Sequence, residues 1–366
     1  MRNAIVNQYQ PDYVSPPGDT LEEILEEREM TQAELATRMG RPKKTINEII
    51  KGKAEITPET ALQLERVLGV SATFWNNRQQ RYREFLARQE EQKRLEKQVN
   101  WLSALPVKAM IKLGWIQSYD NKIEQVRELL NFFAVTAPEQ LEQLLTQELA
   151  VDFRKSQAYK TDSWAVAAWL RQGEIEAAKI PCAKYDSQKF RESLDAIRKL
   201  TIEPPEIFEP QIVELCAASG VAVTFVPQLP KTRTCGATRW LTSDKALIQL
   251  SLRYKTNDHF WFSFFHEAGH ILLHGKRDLF LEENDKKQEN NNKEKEANIF
   301  ARNFLIEPSL YEEFISSPHC RSEQGIKKFA SELGITPGIV VGRLQHDRVL
   351  PYTHCNGLKE TFQWAE

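Results

Sequence analysis

The 366-residue sequence predicts a mainly α-helical chain of several domains, with one small β-containing domain in its last third. Three observations carry this expectation. Helix-forming residues with a 3.6-residue apolar period dominate the first two thirds, runs of β-type residues begin only after residue 220, and a chain of this length can bury two or three separate cores. The expected order is an N-terminal all-α helix-turn-helix domain, a helical middle region, an α+β domain with a small sheet, and a C-terminal helical segment. The divisions are a tail at 1–18, the first domain at 19–77, a charged linker helix at 78–100, the middle domain at 101–205, the α+β domain at 206–310 and the last segment at 311–366.

Composition narrows the possibilities. With 27% charged residues, 41% hydrophobic residues and a formal net charge of −2, the chain is neither disordered nor globally basic, so any affinity for nucleic acid must be local. The opening MRNAIVNQYQPDYVSPPG lacks the apolar run of a signal peptide, and no later run reaches the roughly 18 residues of a membrane span, so a cytoplasmic location without membrane contact is expected. The five cysteines (Cys182, Cys216, Cys235, Cys320 and Cys355) are scattered and never form a C-x-x-C pair, as suits free thiols in a reducing compartment.

The first legible element is MTQAELATRMGRPKKTINEIIKGK, from residue 30. Thr31 and Glu34 have the spacing of a capping box, so a helix begins near Gln32. Leu35, Ala36 and Met39 supply its apolar stripe, Gly40 permits a tight turn, and Pro42 opens a second helix whose Ile46, Ile49 and Ile50 face the first. On the outward face of that second helix stand Lys43, Lys44, Thr45, Asn47, Glu48 and Lys51, with Arg41 before it and Lys53 after it. These are phosphate and base-edge donors, and the bland alternative is a merely solvated face. The continuation AEITPETALQLERVLGVSATFW adds a Thr57-Pro58 helix start and the stripe Ala61, Leu64, Val67, Leu68. Over about residues 15–80 the whole resembles the XRE-like DNA-binding domains, particularly those of HigA-type antitoxins. That resemblance implies a homodimer on a double-stranded, two-fold operator, with Gln32 touching a backbone phosphate.

Next, RQQRYREFLARQEEQKRLEKQ (78–98) alternates charges of both signs and reads as a solvated helix between domains. Residues 101–200 remain helical without a chemical motif, their tryptophans being packing residues. The proline-rich TIEPPEIFEP (201–210) marks a boundary, and VAVTFVP, GATRWLT and DKALIQLS read as strands, the last two joined by a turn at Ser243-Asp244.

The stretch HFWFSFFHEAGHILLH (259–274) follows, with Asp258 as its expected cap. It is apolar almost all the way round, yet His259, Ser263, His266, His270 and His274 recur at helical steps on one stripe. Burying unpaired imidazoles costs several kcal/mol, so the stripe needs a polar network or a metal. His266 and His270 lie one turn apart, about 6 Å between β-carbons, close enough to converge on one zinc ion. Glu267 stands beside the first, giving the H-E-x-x-H pattern of hydrolytic zinc sites. His274 lies about 12 Å of helix rise beyond His266 and is expected to be a cleft or supporting residue.

A third ligand is expected from KEKEANIFARNFLIEP (293–308), beyond the polar run EENDKKQENNN, which reads as a mobile loop. Glu294 sits at the edge of an apolar stripe, one turn before Asn298, which is suited to steady a histidine; Glu296 is its rival. Cys235 is within sequence reach as an inhibitory thiolate. Together HEAGH, the trailing HILLH and the E-x-x-A-N-x-F-A run resemble the ImmA/IrrE metallopeptidase family over roughly residues 206–310. The resemblance implies a small zincin-like domain. It also implies zinc held by His266, His270 and Glu294, Glu267 as proton acceptor and donor in peptide hydrolysis, and a strand beside the cleft, that of Ala246–Leu250, to which an extended peptide adds.

The last run, IKKFASELGITPGIVVGRLQHDRVLP, again reads helix, turn, helix, in a packing or partner-binding role. The combined expectation is a DNA-binding regulator carrying a zinc endopeptidase that cleaves a protein partner. The alternative is a HigA-type autorepressor that binds a toxin, with the zinc site structural or inactive.

Overall fold

The computed structural model describes residues 13–148, 160–275, 279–283 and 292–364. The chain divides into two compact units, Met1–Val99 and Asn100–Glu366. Among the described residues no helix is long and apolar enough to cross a membrane.

The first unit runs through α1 (Pro17–Glu27), α2 (Gln32–Met39), α3 (Lys43–Ile50), α4 (Pro58–Leu68) and α5 (Ala72–Gln98). Thr31 caps α2, its hydroxyl accepting from the Glu34 amide at 3.1 Å. Only that half of the expected capping box forms, because the Glu34 carboxylate accepts from Arg38 at 2.6 Å. Gly40 ends α2 with a φ of 64°, a left-handed turn that aims α3 across α2. Leu21, Leu35, Ile46, Ile49, Leu64, Leu68 and Trp75 close over one core. Helix α5 passes unbroken through the expected division at 77/78, and its early turns belong to this core. Gln79 is buried and accepts from the Ile56 amide at 3.0 Å, while Arg78 donates to Thr20 at 2.7 Å.

The second unit begins with α6 (Val107–Lys112), α7 (Lys122–Phe133), α8 (Pro138–Glu148), α9 (Lys160–Lys179), α10 (Ser187–Lys199) and α11 (Pro205–Ala217). Strands β1 (Val221–Phe225), β2 (Thr234–Thr242) and β3 (Lys245–Leu250) follow, then α12 (Asn257–Leu273), β4 (Phe280–Glu283) and α13 (Asn292–Leu305). The described chain finishes with α14 (Pro308–Ser316), α15 (Glu323–Leu333) and α16 (Pro337–His346). The sheet has the order β1-β3-β2-β4, with β1 parallel to β3 and the other pairs antiparallel.

The β2–β3 hairpin turns at Ser243-Asp244 as expected; β4 was not anticipated, being four residues long and next to a polar run. Of that run, Glu282 and Glu283 are strand and Asn292 is helix; the loop expected over the rest, 284–291, lies outside the described residues.

Strand β3 is buried on both faces because both are covered. Helix α12 packs on one side, and α9 on the other, where the Trp169 indole donates to the Val226 carbonyl at 3.0 Å and the Gln249 amide to the Trp169 carbonyl at 2.6 Å. The expectation that β3 offers an edge to an extended peptide is thereby overturned, since β1 and β2 occupy both of its hydrogen-bonding sides. The outer positions of the sheet are held by β1 and β4.

One core joins Phe190, Leu194 and Ile197 to Ile248, Phe264 and Val340, crossing the divisions expected at 205/206 and 310/311. The reason is visible at Arg198, whose guanidinium donates to the carbonyls of Phe304 at 3.0 Å, Leu305 at 2.8 Å and Leu333 at 3.2 Å. It thus satisfies the open C-terminal ends of α13 and α15 together.

The α15–Gly334–α16 corner repeats the shape of α2–Gly40–α3, but Ile339, Val340, Val341 and Leu344 of α16 are buried and the helix packs on α12. Residues near 360 then fasten the start of α12. The Asn257 amide donates to the Glu360 carbonyl at 2.9 Å, Thr256 bridges to Thr361, and Lys359 pairs with buried Asp258 at 2.7 Å. Asp258, expected as the cap, therefore stands inside the first turn, with Thr256 at the cap position.

Arg198→Met keeps the aliphatic stem and removes the donors, leaving three helix-end carbonyls short of partners. It should lower the unfolding free energy by about 2 kcal/mol, read from the denaturation midpoint of the full chain.

Candidate metal centre and nucleic-acid face

Trp261, Phe264, Phe265 and Ala268 wrap α12 in the core, so its polar residues are carried inside with it. His266 and His270 are each 1% exposed and Glu267 is 0% exposed. Their partner arrives on α13, which packs along α12. The Nε2 atoms of His266 and His270 lie 3.0 Å apart, and the Glu294 carboxylate stands 3.2 Å from the first and 3.4 Å from the second.

These separations test the fit of a metal. Zinc bonds of about 2.0–2.1 Å in a tetrahedron place neighbouring ligand atoms about 3.3–3.4 Å apart. The three donors, 3.0–3.4 Å apart, come close to that spacing, and two imidazoles with a carboxylate are a donor set zinc accepts, so the residues fit. Their protonation fits as well. Burial pulls His270 down to about 4, keeping it neutral near pH 7. Burial pushes the Glu294 carboxyl up, but the His266 and His270 imidazoles facing it outweigh that and hold the group at about 2, hence ionised.

The surroundings of each histidine are specific. The expected partnership of Asn298 is present: its Oδ1 accepts from Nδ1 of His266 at 3.1 Å. The His270 ring stacks on Phe280 of β4, centroids 4.0 Å apart, and its Nδ1 lies 3.0 Å from Nδ1 of His274. His274 in turn reaches Glu296 through Nε2 at 3.1 Å. So Glu294 and Glu296, rivals in the sequence, divide the work: the first joins the histidine pair and the second holds His274. His259, on the same face at the start of α12, is exposed and stacks on Tyr254 at 4.4 Å, away from the buried pair. Cys235 is buried on β2 and stands outside the three-residue group.

Glu267 lies against β2. The Thr238 hydroxyl donates to its backbone carbonyl at 3.1 Å, and a Cβ added at Gly236 would stand 2.6 Å from its Oε1. Sequence reasoning missed Gly236, Thr238 and Phe280, because residues on a different element, about thirty positions before Glu267 for the first two and ten after His270 for the third, leave no local spacing to read. A glycine inside a strand was the one available sign of a close approach.

On the first unit, Lys43, Lys44 and Lys51 of the α3 region are exposed, while Thr45 and Asn47 are half-buried. The Asn47 amide donates to Gln32 Oε1 at 3.3 Å, joining the start of α2 to the middle of α3. Lys44 is 84% exposed and only loosely paired with Glu48 at 3.8 Å. Arg41 departs from the expected outward donors: it is held by Gln63 and by Glu59 at 3.2 Å, because α4 presents those two oxygens one turn apart beside the Gly40 turn.

Comparison with known proteins accords with both units. Residues 21–75 match the helix-turn-helix family model, and residues 225–345 match that of the IrrE N-terminal-like domain. An uncharacterized HTH-type transcriptional regulator of Escherichia coli, YddM, is 38% identical over 63 residues, which span 17% of this chain and 67% of the relative. Two solved structures align with 23% of this chain, each at a TM-score of 0.22. One is described as an antidote protein of a plasmid maintenance system from Nostoc punctiforme, at 30% identity over 91% of its length. The other is a HigA-family addiction module antidote protein from Coxiella burnetii, at 32% over 92%. The chain therefore belongs to the XRE-type helix-turn-helix regulators through its first unit, and carries in its second an IrrE N-terminal-like domain of metallopeptidase-like fold.

Proposed function

We propose that this protein is a DNA-binding transcriptional regulator whose second unit is a zinc-dependent endopeptidase acting on a specific protein partner. One observation carries the reading: two imidazole nitrogens and one carboxylate meet at 3.0–3.4 Å inside the core, with a buried glutamate next in sequence to the first histidine. In this reading His266, His270 and Glu294 hold the zinc. Bound there, zinc would supply Lewis acidity, polarising a peptide carbonyl and acidifying water toward neutral pH. Glu267 takes the proton from the attacking water on a carboxylate oxygen and delivers it to the departing amine. The apolar wall of α12 and the Phe280 ring keep bulk water from competing for that proton. On the first unit, Lys43, Lys44 and Lys51 meet phosphates, and Thr45 and Asn47 face base edges. Gln32, bonded to Asn47, anchors the start of α2 against the backbone. A homodimer then reads two half-sites of an operator one helical turn apart. Arg41 adds positive charge near the turn but is committed to Gln63 and Glu59.

Glu267→Gln should abolish cleavage of the partner, identified as new fragments by mass spectrometry, while one zinc per chain and DNA affinity persist. A partner that is bound stoichiometrically and never cut, with Glu267→Gln making no difference, would assign the protein to the toxin-binding autorepressors instead. Gly236→Ala pushes a methyl group into the space of the Glu267 carboxylate and should lower kcat by about 10- to 100-fold with zinc affinity retained. Replacing Lys43 and Lys44 together by alanine should weaken operator binding and reduce the slope of log affinity against log salt by about 1–2, measured by titration at several ionic strengths.

A further inference from the structure

We infer that His274 and Glu296 form a positioning relay that fixes the tautomer and ring orientation of His270 for metal binding; this rests on the reading of His266, His270 and Glu294 as a metal site. An ionised carboxylate only accepts, so the 3.1 Å contact between Glu296 Oε2 and His274 requires the hydrogen on His274 Nε2. An imidazole with its one hydrogen on Nε2 offers a lone pair on Nδ1. That atom lies 3.0 Å from His270 Nδ1, a contact that is complementary when His270 carries its hydrogen there and donates. The remaining nitrogen of His270, Nε2, is left with a lone pair, and it is this atom that faces His266 Nε2 at 3.0 Å and Glu294 at 3.4 Å. The opposite tautomer of His270 would set lone pairs against each other at the two Nδ1 atoms, whereas in the proposed one they gather at the Nε2 atoms, where a metal ion would take them.

The placement of the relay is structural as well as electronic. The His274 side chain is 3% exposed although its residue closes α12, and Phe280 lies across both rings, 4.0 Å from His270 and 5.3 Å from His274. Helix α13 thus serves the site three times within five residues: Glu294 as a donor, Glu296 on the relay to His270, and Asn298 on His266. Each histidine has its Nδ1 occupied, and each turns Nε2 to the same point.

The test uses the purified full chain and measures Zn²⁺ and Co²⁺ dissociation constants by competition with a chromophoric chelator, together with the Co²⁺ absorption spectrum. Wild type should bind one ion per chain. Glu296→Ala, at a residue 59% exposed, should leave the apo fold intact and weaken binding about 10-fold, and His274→Leu about 10- to 100-fold. The double variant should be no weaker than His274→Leu, because the two act in series. His274→Asn, whose amide oxygen can accept from His270 Nδ1–H, should recover most of the affinity. Wild-type binding with Glu296→Ala and His274→Leu both within twofold of it overturns the relay while leaving the metal site standing. Loss of the ion in His274→Asn as complete as in His274→Leu, with Glu296→Ala unchanged, makes His274 a ligand and equally overturns the relay. A wild type that binds no ion removes the metal site and the relay together.

Discussion

The second unit is organised by one constraint: a helix that is apolar on nearly every side must be buried, and it takes His266, Glu267 and His270 with it. Polar groups in such a place need partners, so neighbouring elements must deliver them. Helix α13 brings Glu294, Glu296 and Asn298, strand β2 brings the Thr238 hydroxyl, and β4 brings the Phe280 ring. The lengths and order of these elements make sense as ways of reaching one point on α12.

The same constraint accounts for the surroundings. The sheet is buried on both faces because α12 and α9 cover it, and α9 through α11, which show no chemical motif, are there to close the core. Arg198 extends this by tying the ends of α13 and α15 together, so the element that carries Glu294 is held at the far end from its donor. In the first unit the apolar stripes of α1 to α5 close a separate core and leave the lysines of α3 outward.

Much of this was legible in the sequence, because it depends on short-range spacing. The i,i+4 histidines, the Thr31 and Thr57 caps, the Gly40 turn, the β2–β3 hairpin and the Glu294–Asn298 step all concern residues within one turn or one loop of each other. What was not legible depends on tertiary approach. The pairing of β3 on both sides, the capture of Arg41 by α4, the contact of Gly236 with Glu267 and the pairing of Asp258 with Lys359 join positions far apart in the chain. The domain divisions at 205/206 and 310/311 were read from composition, and composition does not reveal that apolar stripes on either side share one core.

The fastening of α12 has a consequence for biosynthesis. Its first turn buries Asp258 against Lys359 and pairs its backbone with residues 360 and 361, about a hundred positions later. A ribosome makes those residues many seconds after the helix itself, at about 5–20 residues per second. Until they emerge, the nascent helix has an uncompensated acid at its root and an unseated first turn, and the histidine pair two turns further on lacks a fixed base. A histidine site built this way is completed only after residues 359–361 have emerged, about a hundred positions behind the helix that carries it.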